Sequence, residues 1–207
     1  MRLEEDPINI VITGVGGQGN VVASQIVARA AINEGFYVTI GETYGASQRG
    51  GAVMSHVRLS EKTQYGPLIP EGRAHIILGF EPIEALRVMA AFGNQKTRVI
   101  VNKRPYYPID VLTGRLQYPK VDDVLAAIKS MSGEMKTVES TEIAKKAGDV
   151  VMQNVVMVGC LAGSGWIVVN MQSFRKALEE TFPKKTEENL RAFEMGVEGI
   201  KKAKEVR

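Results

Sequence analysis

The sequence predicts an α/β fold, a mostly parallel, Rossmann-like sheet with helices on both faces. Three observations point there. Strand-length apolar runs alternate along the chain with longer stretches of helical periodicity, the pattern of repeated βαβ units. The first of these units turns from strand to helix through a glycine cluster. No run of apolar residues reaches the ~20 needed to cross a bilayer, so the apolar segments belong to a buried sheet and its covering helices.

The elements follow in order. Asn9-Ile-Val-Ile-Thr13 is an apolar run suited to a buried strand. Gly14-Val15-Gly16-Gly17-Gln18-Gly19 comes next, then a helical stretch over 20–33 with Val22, Ile26 and Ala30 on one face. Residues 36–40 read as a second parallel strand. Residues 52–59 alternate, with Val53, Ser55, Val57 and Leu59 on one side and Met54, His56 and Arg58 on the other. Pro67, Pro70 and two glycines make 64–73 a turn-rich excursion. A strand over 74–79 leads into a helix that starts at Glu81-Pro82, with proline at its tolerated first position. Another strand spans 98–101. The segment 103–119 carries three prolines and three tyrosines and reads as irregular, a flap or a partner-facing loop. A helix over 122–130 and a strand over 135–139 precede a helix that Ser140 would cap and Gly148 would end. Residues 150–162 form a buried helix in which Gly159 and Gly163 permit close approach of another backbone, and Asn154 needs a partner. Two amphipathic helices end the chain, one through Phe174, Ala177 and Leu178 and one through Leu190, Phe193, Val197 and Ile200. The whole reads as one domain over 1–207.

Two glycine segments carry the chemistry. The first fits G-x-G-x-x-G in its proper strand–turn–helix setting, so Gly14, Gly16, Gly17, Gln18 and Gly19 are candidate cofactor-binding residues. Gly14 permits the turn, Gly16 leaves room for a ligand, Gly19 permits helix–strand contact, and the amides at the helix start favour an anion. The second is Gly41-Glu-Thr-Tyr-Gly-Ala-Ser-Gln-Arg-Gly-Gly51. It gathers an acid, a phenol, a hydroxyl, an amide and a guanidinium among glycines, a composition common in ligand-contacting loops. Glu42, Tyr44, Gly45, Ser47, Gln48, Arg49, Gly50 and Gly51 are therefore candidates for a substrate or partner site. Glu42 stands just past the predicted strand, roughly 20 residues beyond the last glycine, where a dinucleotide fold places its ribose-binding acid. An NAD-dependent oxidoreductase and a nucleotide or acyl-coenzyme A sensor are both compatible with these residues.

Other chemistries are excluded. His56 and His75 lack metal-ligand spacing, there is no Gly-x-Ser-x-Gly turn, and no Lys-Ser/Thr follows the glycine turn as ATP hydrolysis would require. A net charge of +3 with acids and bases interleaved offers no basic stripe for nucleic acid. The N-terminus lacks the apolar core of a signal peptide, and a single cysteine suits a cytoplasmic protein. Cys160 lies in an apolar run and reads as a core residue.

The segments Gly-Val-Gly-Gly-Gln-Gly (14–19) and Tyr-Gly-Ala-Ser-Gln-Arg-Gly-Gly (44–51) together resemble the gamma-type subunit of 2-oxoacid:ferredoxin oxidoreductases. Within that group the chain looks most like the beta subunit of indolepyruvate:ferredoxin oxidoreductase. Val57-Arg-Leu-Ser60, Gly79-Phe-Glu-Pro-Ile-Glu-Ala-Leu-Arg87, Asn154-Val-Val-Met-Val-Gly159 and Glu188-Asn-Leu-Arg-Ala-Phe-Glu-Met-Gly196 extend the resemblance over about residues 8–202. Ala74-His75, where Ala-Asp is usual, and the stretch 102–119 depart from the pattern.

The resemblance implies a subunit of an enzyme that oxidatively decarboxylates a 2-oxo acid, of the indolepyruvate or aryl pyruvate type, to an acyl-coenzyme A and reduces ferredoxin. It implies no catalytic residue and no metal site in this chain. A [4Fe–4S] cluster takes four cysteines, and one cannot supply them. Thiamine diphosphate, Mg2+ and the [4Fe–4S] clusters would belong to a larger partner subunit, with coenzyme A as co-substrate and with neither nucleic acid nor membrane as partner. Ser47, Gln48 and Arg49 would face the partner's thiamine site or the acyl and coenzyme A channel.

Overall fold

The computed structural model describes residues 3, 5–44, 51–107 and 109–203, with backbone alone at 109 and 110. Six strands form one sheet in the order β2-β3-β1-β4-β5-β6. They are β1 (Ile8–Val15), β2 (Tyr37–Tyr44), β3 (Ala52–Ser60), β4 (Ile76–Gly79), β5 (Arg98–Asn102) and β6 (Glu134–Val138). β1, β4, β5 and β6 pair in parallel, whereas β3 runs against both β1 and β2. β2 therefore runs in the same sense as β1 but does not touch it. The predicted second strand runs parallel to β1 as expected, with β3 standing between the two. It is also longer than predicted and carries Glu42 within the ladder, opposite Ser55.

The central strands are buried on both sides, which explains their continuous apolar runs. Ile10 and Ile12 point to one core and Val11 to the other, as a period of two requires. The larger core lies under α1 (Asn20–Ile32), α5 (Ser140–Ala147), α6 (Gln153–Gly163), α7 (Met171–Thr181) and α8 (Thr186–Lys202). The smaller lies under α2 (Pro82–Phe92) and α4 (Val121–Met131). Phe174 and Phe193 anchor the first and Val99, Val101 and Met135 the second.

Local chemistry sets the helix ends. Glu81 caps α2, its side chain accepting from the Glu84 amide at 2.9 Å, and Pro82 opens the helix. Gly148, at φ 141°, closes α5. Ser140 does not cap α5: it is the first helical residue, and its amide donates to Asn102 Oδ1 at 3.1 Å instead. Within 103–119 a single helical turn, α3 (Ile109–Leu112), interrupts the irregular path. The apolar stretch from Val150 opens with a 3-10 turn over Val150–Met152 whose first two side chains are exposed, and only α6 behind it is buried. Gly159 on α6 and Gly196 on α8 lie against each other's helix. A Cβ on either would overlap a carbonyl oxygen, Phe193 O or Val156 O. The close approach read at Gly159 is thus internal.

Candidate functional site at the carboxyl ends of the strands

After β1 the chain moves to one side of it, through α1 to β2 and β3. It then crosses to the other side at β4. The gap between the carboxyl ends of β1 and β4 is therefore the topological switch point, where open α/β sheets bind their ligands. The glycine turn occupies it. Gly17 at φ 106° and Gly19 at φ 84° adopt the left-handed backbone that the reversal needs. A Cβ on Gly19 would stand 2.8 Å from Asn154 Nδ2, and one on Gly14 would meet Gln18 and Phe80.

Gln18 is turned inward. Its Oε1 accepts from the Val15 amide at 2.7 Å, and its Nε2 donates to the Phe80 carbonyl at 3.3 Å, so it ties the end of β1 to the end of β4. Its own amide donates to Val15 O. Gln18 holds the turn's shape and has little left to offer a ligand. The Gly16 amide is also spent, donating to the Gly51 carbonyl at 2.8 Å. Among the described residues the amides of Gly17, Gly19, Asn20, Val21 and Val22 make no hydrogen bond, and they carry the partial positive charge of the helix start. Asn20, the first residue of that helix, is buried, and its Oδ1 has no partner among the described residues.

Gly51 thus joins the two glycine segments. Gly45, Ser47, Gln48, Arg49 and Gly50 lie outside the described residues. Glu42 and Tyr44 can be placed. Glu42 accepts from Ser24 Oγ of α1 at 3.0 Å and from Ser55 Oγ of β3 at 2.6 Å. Its carboxylate is therefore committed to the scaffold, which corrects the expectation of an acid standing beyond its strand to meet a ribose. Tyr44 is exposed and borders a hollow of about 230 Å³ with Thr13, Met54, Glu84, Arg87 and Phe92. Burial raises the Glu84 carboxyl above its ordinary range, with Arg87 opposing that shift at 3.8 Å.

A buried polar cluster beneath the turn escaped the sequence reading. The Phe80 carbonyl accepts from Gln18, from Asn102 Nδ2 at 3.2 Å and from Gln153 Nε2 at 3.4 Å. Thr141 joins Asn102 to Gln153. Glu81, almost fully buried, accepts from the hydroxyl of Tyr118, which brings the Tyr/Pro segment onto the same end of the sheet. The one local signal was Asn102, the polar residue that ends the apolar run of β5. His56, by contrast, is structural. Its Nδ1 accepts from the Ile69 amide at 3.3 Å, its ring lies edge-on to Phe92, and burial followed by the Arg58 charge lowers its pKa. Cys160 is fully buried, which pushes its thiol up to about 12.

This fold recurs in a known group of proteins. Residues 9–199 match the family described as pyruvate ferredoxin/flavodoxin oxidoreductase. The chain belongs to this family. It is 42% identical over 190 residues to the indolepyruvate oxidoreductase subunit IorB of Archaeoglobus fulgidus, covering 91% of this chain and 93% of that relative. It is 37% identical over 195 residues to IorB of Thermococcus kodakarensis, covering 93% and 96%. Among solved structures it resembles the gamma subunit of a keto/oxoacid ferredoxin oxidoreductase from Geobacter sulfurreducens. The TM-score is 0.68 at 25% identity, over 93% of this chain and 98% of that one. As a pyruvate ferredoxin/flavodoxin oxidoreductase family chain it is matched nearly end to end. Among its described residues no group of His, Cys, Asp and Glu could hold a metal ion, and no helix is long and apolar enough to cross a membrane.

Proposed function

We propose that this chain is the gamma-type subunit of a cytoplasmic 2-oxoacid:ferredoxin oxidoreductase acting on an aryl pyruvate such as indolepyruvate. The observation that carries the reading is the near full-length similarity, in both directions, to indolepyruvate oxidoreductase subunits. The chain is one domain and inactive alone. A larger subunit holds thiamine diphosphate, Mg2+ and the [4Fe–4S] clusters, and ferredoxin docks on the complex. The thiamine and clusters supply decarboxylation and electron transfer, and this chain supplies binding and positioning.

In that division of labour the amides of Gly17, Gly19 and the first turn of α1 bind an anion, either a phosphate of coenzyme A or an acid of the partner. Their unspent donors fit such a group. Gln18, Gly14 and Gly16 shape the turn. Gly51, the residue that follows the second loop, accepts from the Gly16 amide of the turn, which supports a role for Ser47, Gln48 and Arg49 facing the thiamine site or the acyl and coenzyme A channel. A guanidinium there suits a carboxylate or phosphate. The NAD-dependent alternative loses its main support with Glu42 held by two serines.

The test is anaerobic purification of the tagged chain from its native cells. Recovery with a larger, brown, cysteine-rich protein that reduces viologen only when given an aryl pyruvate and coenzyme A supports the reading; recovery of the chain alone overturns it. In the complex, Arg49→Ala is expected to lower kcat/KM by about tenfold or more while subunit association is unchanged.

A further inference from the structure

A cavity lies at the opposite end of the sheet. It has a volume of about 870 Å³, within the range of small-molecule sites. The amino-terminal residues of three parallel strands, Ile8, Ile76 and Arg98, line it. Leu59, Ile167 and Trp166 add apolar wall, and the Lys136 ammonium stands 5.0 Å from the centroid of the Trp166 ring.

The charges at its mouth are unequal. Arg73, Lys96 and Arg98 line the cavity, against Glu5. Glu5 is already engaged. The Asn9 amide donates to His75 Nδ1 at 2.8 Å, which leaves the Nε2 hydrogen facing Glu5 Oε2 at 2.9 Å. No acid among the described residues pairs with Arg73 or Lys96. The cavity therefore offers an apolar interior with two uncompensated cations at its edge. Helix α2 ends here: the carbonyls of Ala91 and Phe92 accept from Gly72 and Ala74. A helix carboxyl end disfavours negative charge, the more so the more of it there is, so a multiply charged polyphosphate is a poor occupant. A compact single charge held by Arg73 and Lys96 is a good one.

The geometry points to a binding site for a hydrophobic monocarboxylate, its apolar body against Ile8, Leu59 and Ile76 and its carboxylate on Arg73 and Lys96. Trp166 is the chain's single tryptophan, so its fluorescence reports the cavity directly. The full-length chain is titrated with 3-phenylpropionate and, separately, with the neutral 3-phenyl-1-propanol, exciting tryptophan alone. A saturable change is expected with the acid, with the alcohol weaker by about tenfold or more. The double variant Arg73→Gln, Lys96→Gln is expected to lose that preference while keeping its circular dichroism. If that variant fails to fold, added salt replaces it: screening weakens the acid and spares the alcohol. No saturable change with the acid, or equal binding of acid and alcohol indifferent to salt, overturns the proposal.

Discussion

At Gly19 two constraints meet: a left-handed backbone, and a neighbour, Asn154, where a side chain would begin. Gly19→Ala meets both and is expected to cost about 2 kcal/mol of stability, read by urea unfolding. Nearly unchanged stability would mean that Asn154 yields easily and that the turn is softer than its contacts imply. His56 makes a prediction about acid. Burial and the Arg58 charge hold its folded pKa below the unfolded value of about 6.5. As pH falls through that value the unfolded chain takes up a proton that the folded chain refuses, so stability present above about pH 6.5 is lost below it. His56→Asn, which keeps an acceptor for the Ile69 amide but does not titrate, should flatten this loss. Urea midpoints at about pH 7.5 and about pH 5.5 should differ more in the parent than in the variant. Equal differences would show that other groups set the acid response.

Among elements, the pair α6 and α8 is bound by what its residues lack. Gly159 and Gly196 let the two backbones touch, and Gly163 lies against Val197. Gly196→Val must push the helices apart and is expected to cost about 3 kcal/mol. Gly66→Ala, in the excursion with open space around it, should change stability by less than about 0.5 kcal/mol. Thermal or urea unfolding of the two variants checks the contrast. This pairing also marks how far the sequence could be read. The glycines four apart announced a close backbone, but no local pattern named α8 as the partner. The strands were legible from their apolar runs and the α2 start from Glu81-Pro82, since these depend on neighbours along the chain. The order of the sheet was not, because antiparallel pairing of β3 with both β1 and β2 is settled by packing between distant segments. The same limit hid the cluster on the Phe80 carbonyl, whose donors come from three separate elements. Ser140 misled for a related reason: a good capping residue was outcompeted by Asn102, which reached its amide from another strand.

For the whole molecule, the insertion of β3 between β1 and β2 separates this sheet from a dinucleotide-binding one. In the latter, the acid that holds the ribose ends the strand beside the glycine turn. Here that neighbouring place belongs to β3, which runs the other way, and Glu42 is held by Ser24 and Ser55 within the ladder. To receive a ribose it would have to abandon both hydroxyls, each a charge-assisted bond of about 1.5–3 kcal/mol. The glycine turn, in contrast, retains amides able to hold an anion. With the anion role proposed for that turn and Glu42 committed to its serines, the chain should discriminate between ligands that share a pyrophosphate. Titration of the isolated chain with NADH, followed by its fluorescence, is therefore expected to give no saturable binding below the millimolar range. Glu42→Gln should not create such binding, since Ser24 and Ser55 still occupy the side chain. Tight NADH binding that Glu42→Gln abolishes would mean that the carboxylate leaves the serines for a ribose. The proposed role beside a thiamine-bearing subunit would then give way to an oxidoreductase acting alone.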